Sequence, residues 1–71
     1  MTVLWRLRSP RREAVHAALL PGGPPFTLAF VVAGRMDRVE NYETLDLAVF
    51  RAGEVKRTLL EDGWSDDEAP T

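Results

Sequence analysis

Phe26 to Ala33 reads Phe-Thr-Leu-Ala-Phe-Val-Val-Ala, directly after the breaker block Pro21-Gly22-Gly23-Pro24-Pro25. As a strand, this run puts Phe26, Leu28, Phe30 and Val32 on one face. Thr27, Ala29, Val31 and Ala33 fall on the other. Both faces are largely apolar, which is the mark of a strand covered on two sides. The run is far shorter than the roughly 20 residues a membrane-spanning helix needs, so no membrane partner is expected. A chain of 71 residues can afford one such central strand, and the other segments must be arranged around it. Gly34 to Asp37 reads as the turn that follows.

The segments before it divide at Ser9. Thr2 to Arg8 alternates, with Val3, Trp5 and Leu7 on one face and Thr2, Arg6 and Arg8 on the other, as a half-buried strand does. Ser9-Pro10 has the form of a helix start. Serine accepts an orphan backbone N–H as an N-cap, and proline fits the first helical position. Val15, Ala18 and Leu19 then make a narrow apolar stripe at i, i+3, i+4, and Pro21 ends the expected helix.

Val39 to Arg51 fits a strand with Val39, Leu45, Leu47 and Val49 on one face. Tyr42, Asp46, Ala48 and Phe50 fall on the other. Arg51-Ala52-Gly53-Glu54 reads as a hairpin loop, and Val55 to Leu60 as the last strand. The rival reading makes Glu54 to Asp62 a short helix ended by Gly63, with Trp64 as the apolar residue after it. The expected fold class is α+β: β-α-β-β-β, one helix on one face of a mixed four-stranded sheet whose first two strands are parallel through a right-handed crossover. The alternative order is β-α-β-β-α. Residues 1–64 form the single domain, and 65–71 an acidic, disordered tail.

A core of this size supplies roughly 3–5 kcal/mol net of ordering entropy, and small domains often need a further staple. There is no cysteine, so neither a disulfide nor a cysteine zinc site is available. His16 is the only histidine, with no nucleophile near it in sequence. Asp37, Glu40, Glu43 and Asp46 recur every three residues but alternate faces on a strand. The glycines precede a strand rather than a helix, the reverse of a phosphate-cradling loop. No cofactor, no metal site and no catalytic residue is expected, and the chain is read as non-enzymatic. Self-association or docking on a partner protein is the staple that remains.

Charge and uncovered surface suggest where docking occurs. Residues 1–12 carry +4 from Arg6, Arg8, Arg11 and Arg12; residues 61–71 carry −5, including Asp66, Asp67 and Glu68; the whole chain carries −2. One helix covers one sheet face, so Val31, Ala48 and Phe50 are expected on an uncovered apolar face, a usual association surface. The arginines or the acidic tail would add steering. Candidate partner-binding residues are therefore Arg6, Arg8, Arg11, Arg12, Val31, Ala48, Phe50, Asp66, Asp67 and Glu68. Nucleic acid is the less favoured partner, because phosphate binding calls for a larger basic excess than a pI near 5.2 allows. The N-terminal residues lack the basic-then-apolar order of a signal peptide, so a cytoplasmic location in a bacterium or a phage-infected cell is expected.

Asp37-Arg38-Val39-Glu40-Asn41, Glu43-Thr44 and Arg51-Ala52-Gly53-Glu54-Val55 together resemble the DRVENGET…RRGKPV stretch of prevent-host-death antitoxins. Tyr42 stands where that family has glycine, and extra residues precede the second block. The resemblance covers under a third of the chain. It implies a helix ending near the Asp37 run, a hairpin after it and an antitoxin-like, nucleic-acid-binding regulator. The primary expectation remains a small protein–protein interaction module, acting as inhibitor, regulator or assembly component.

Overall fold

The computed structural model describes residues 1–67. In chain order the elements are β1 (Thr2–Arg8), β2 (Ala14–Leu19), β3 (Phe26–Val32), β4 (Arg35–Tyr42), α1 (Leu45–Glu61) and β5 (Ser65–Asp66). The strands form one five-stranded sheet in the order β4-β3-β2-β1-β5, and every neighbouring pair is antiparallel. The class is α+β, as the sequence suggests. The order is β-β-β-β-α-β rather than β-α-β-β-β, with no parallel pair among the described residues and no crossover between the first two strands.

The expected first helix is a hairpin. Ser9 spends its capping capacity on a turn: its hydroxyl accepts from the Arg11 amide at 3.1 Å and the Glu13 amide at 2.9 Å. Its backbone closes the loop through Arg12 N to Ser9 O and Ser9 N to Glu13 O, both 2.8 Å. Arg12 takes a left-handed φ of 70° there, which turns the chain back. From Ala14, period two places Val15, Ala17 and Leu19 on one face.

The expected strand pair after Tyr42 is one helix. Thr44 caps it, its hydroxyl accepting from the Leu47 amide at 3.2 Å. Ala48, Ala52, Val55 and Leu59 follow at helical spacing, and Gly53 lies inside the helix rather than in a hairpin loop. The rival reading of a helix ended by Gly63 holds at its C-terminal end, but the helix starts nine residues earlier than Glu54.

α1 packs on one face of the sheet. The core beneath it joins Trp5, Leu7, Val15, Ala17, Leu28 and Phe30 to Ala52, with Val55, Leu59 and Trp64 packed at its margin. Alanines at 48 and 52 let the helix axis approach the strands. The Trp5 and Phe30 rings meet at 6.2 Å between centroids, within the range of favourable aromatic pairs. β4 is a free edge. Arg35, Asp37, Arg38 and Glu40 lie along it, and a register irregularity opposite Phe30 and Val31 leaves Asp37 as an extra residue. Charges and a bulge both discourage edge-to-edge strand pairing.

Of the segment expected to be a disordered tail, Ser65 and Asp66 pair with Arg8 and Leu7, and the Asp67 amide donates to the Arg6 carbonyl at 3.0 Å. The short acidic strand thereby finishes the sheet beside β1.

Candidate functional site

Strand register defines the surface opposite α1. Trp5, Ala17 and Phe30 lie side by side under the helix, so the residues between them point the other way. One row across the open face is Arg6, His16, Val31 and Met36; the next is Val3, Ala18, Ala29 and Val39. Ala18 and Ala29 are fully buried although no element covers them. They have the shortest side chains of the two rows, and their taller neighbours close over them. Met36 and Val39 are exposed, at 58% and 45%. Thr27 and Asn41 pair at 2.7 Å on one border, and Arg8 lies beside Ala14 on the other. Asp67, opposite Arg6 at the β1 edge, brings the carboxylate that pairs with Arg8, so Arg6 is the cation left over on the open face.

The ten residues singled out from sequence do not gather on one surface. Arg6 and Val31 lie on the open face. Ala48 is wholly buried between helix and sheet, because it belongs to the inner stripe of α1 rather than to a strand. Phe50 is 65% exposed, but on the outer side of α1, across the molecule from Val31. Arg11 and Arg12 form the β1–β2 turn. Arg8 grips Asp67 with two bonds, Nη2 to Oδ2 at 2.9 Å and Nε to Oδ1 at 3.2 Å. Asp66 lies 3.6 Å from the Lys56 ammonium. One end of the acidic segment is thus the counterpart of one arginine of the basic head. Arg6, Arg11 and Arg12 make no ion pair among the described residues. Glu68 lies outside the described residues.

Sequence reasoning placed Ala29 on the face of Val31 but missed Val3, Ala18 and Val39 as members of the open face. Their signal is the period-two reading of Ala14–Leu19, which fixes the faces of both neighbouring strands.

A second feature links β4 to α1. Glu40 accepts from the Tyr42 hydroxyl at 2.7 Å, from Arg51 Nε at 3.2 Å and from Arg38 Nη1 at 3.4 Å. The Tyr42 hydrogen bond is the largest influence and holds the Glu40 carboxyl below its ordinary value; burial opposes it, and the Arg51 and Arg38 guanidiniums add to the lowering. The same contacts raise Tyr42 and Arg51. This is a surface tether between strand and helix. Nearby, the C-terminal half of α1 and the sheet leave an apolar cleft of about 280 Å³, with Val15, Phe30 and Val32 as floor and Val55, Leu59 and Trp64 as roof.

His16 stands between Arg6 and Val31 on the open face. The described residues hold no group of three or more acidic or histidine side chains that could bind a metal ion. The sheet aromatics Trp5, Phe26, Phe30 and Tyr42 share the helix-covered face, so the open face offers no base-stacking platform. Asp37–Asn41 lies in β4 and Arg51–Val55 in α1, so the helix and hairpin implied by the antitoxin resemblance do not form. Among the described residues no helix is long and apolar enough to cross a membrane. No protein-family model matches the chain, and neither a curated protein nor a solved structure matches it.

Proposed function

We propose that the chain is a small, non-enzymatic protein-binding module whose open sheet face receives a partner surface that is apolar at its centre and acidic around it. One observation carries this reading: among the described residues a single helix covers one face of the sheet, and the other is apolar in the middle, with Arg6 unpaired at its β1 side and Arg8 held by Asp67. Apolar anchoring on Val3, Val31, Met36 and Val39 would supply most of the affinity. Arg6, with Arg11 and Arg12 at the adjacent turn, would speed encounter with an acidic surface and disfavour basic ones. In this role the chain acts as an adaptor or assembly component, in a cytoplasmic setting.

The experiment compares immobilised wild type with Val31→Asp, each checked for folding by circular dichroism. The reading expects every foreign protein retained by the wild type to be lost from Val31→Asp. It also expects retention to be unchanged by Thr58→Glu, a substitution on α1. A folded Val31→Asp that keeps all wild-type partners would sink the reading.

A further inference from the structure

The outer surface of α1 is more apolar than a solvated helix needs to be: Leu45, Leu47, Val49, Phe50 and Leu60 are all exposed, Phe50 the most at 65%. The line farthest from the sheet runs through Asp46, Phe50, Gly53, Arg57 and Leu60, every one exposed. Its spacing alternates four residues and three, as does the seam along which two helices pack. Gly53 stands in the middle of this line, where glycine costs a helix stability. Nothing within the molecule calls for it, because a Cβ built there meets no atom within 4 Å. Asp46 and Arg57 make no ion pair among the described residues.

We infer that α1 packs against α1 of a second copy, antiparallel across a two-fold axis, with Phe50 of each chain seated on Gly53 of the other. A two-fold contact is isologous: where residue i meets residue j, j also meets i. Phe50 lies four residues after Asp46, and Arg57 lies four residues after Gly53. The antiparallel register that seats each Phe50 on the opposing Gly53 therefore also sets each Asp46 beside the opposing Arg57. One arrangement thus gives the glycine a purpose, covers the most exposed aromatic ring and pairs two free charges, each contact being made twice. A missing Cβ lets the ring reach the helix backbone. A parallel pairing of the same helices sets Asp46 against Asp46 and Arg57 against Arg57, so charge selects the antiparallel one. This surface lies across the molecule from the open sheet face. The inference therefore goes beyond the protein-binding reading and does not depend on it: a copy is met on the helix side, and the sheet side stays available.

The test is light scattering behind a sizing column on the full chain at rising concentration, with the folding of each variant checked by circular dichroism. Wild type should move from 8.0 kDa to twice that mass and no further, because a two-fold contact closes on itself. Phe50→Asp should stay monomeric, and Val31→Asp should dimerise like wild type. Asp46→Arg and Arg57→Asp should each weaken the dimer about tenfold, equal to about 1.4 kcal/mol, since each brings like charges together twice. Their equimolar mixture should regain the wild-type dissociation constant, because one chain then carries both cations and the other both carboxylates. Asp46→Arg also puts a cation in the first turn of the helix, which the dipole disfavours; a variant that had merely lost its fold could not be rescued by mixing. A mixture no heavier than its two components overturns the inference, as does Phe50→Asp that associates like wild type. Wild type monomeric at every concentration overturns it as well and leaves the outer face of α1 to a foreign protein, while the sheet-face reading keeps its own experiment.

Discussion

The indole Nε1 of Trp5 donates a hydrogen bond to the Ala52 carbonyl at 2.9 Å, joining residues 47 positions apart in the chain. Trp5 lies in the first strand and Ala52 near the middle of the helix, so this bond sets where α1 rests on the sheet. It also explains how a tryptophan is buried without an orphaned donor. The open sheet face exists because this one helix is committed to the Trp5 side.

Trp5→Phe keeps an aromatic ring in the core but removes the indole bond and part of the volume. The two losses together are expected to cost about 1–3 kcal/mol. That is a large fraction of the few kcal/mol a core of this size supplies. The urea midpoint should fall while far-ultraviolet circular dichroism in water stays near wild type. An unchanged midpoint would mean that the Trp5–Ala52 contact does not hold the helix.

Glu40 makes stability depend on acid pH. Its carboxyl sits below the ordinary 4.5, chiefly because the Tyr42 hydroxyl favours the ionised form, with the Arg51 guanidinium adding to it. A group whose folded value is depressed gives stability that is fully present above its unfolded value and is lost as pH falls through the folded one. Denaturant midpoints should therefore decline below about pH 5. Glu40→Gln should flatten that part of the curve and lower the plateau at neutral pH. A variant curve parallel to wild type through the acid range would remove Glu40 as the cause.

Gly63 ends the helix at a φ of 97°. Its amide donates to Leu60 O at 3.1 Å and the Trp64 amide to Leu59 O at 3.0 Å, the pairing of a Schellman cap. A Cβ at this position would have Pro10 Cγ as its nearest neighbour, at an ordinary 3.7 Å, so the cost of Gly63→Ala is conformational rather than steric. About 1–2 kcal/mol is expected, read as a drop in thermal midpoint. Gly63→Asn should recover part of it, since asparagine tolerates the left-handed region better. Equal midpoints for glycine and alanine would contradict this cap.

β1 and β3 are legible because their alternation has no rival: Val3-Trp5-Leu7 and Phe26-Leu28-Phe30 satisfy only a period of two. Ala14–Leu19 satisfies both periods, since Val15, Ala17 and Leu19 alternate while Val15, Ala18 and Leu19 fit a helix, and Ser9-Pro10 tips the reading to helix. What decides the structure is a loop bond network that local propensity does not encode. The helix is hidden for another reason. Its inner stripe begins with Ala48 and Ala52, which carry little hydrophobic weight, while Leu45, Leu47 and Val49 suggest alternation. Thr44 is a sound cap signal, but it lies outside a helix sought from Glu54 onward. Val31 was readable as part of an open face from β3 alone. Ala48 and Phe50 were not, because their faces follow from the helix.

Gly53 offers a gain in stability. It is exposed inside α1, and a Cβ built there meets nothing within 4 Å. Glycine in a helix interior costs roughly 0.5–1 kcal/mol relative to alanine, because it gives up more backbone freedom on folding. Gly53→Ala should therefore raise the denaturant midpoint by that free energy, with an unchanged slope because the surface exposed on unfolding hardly alters. Gly53 also lies one turn from Phe50 on the outer surface of the helix, where an added methyl bears on association. Stability is best measured in the Phe50→Asp background, which separates the backbone effect from association. A midpoint that falls in that background would show that the helix needs the freedom of glycine at this position, against the open geometry around it.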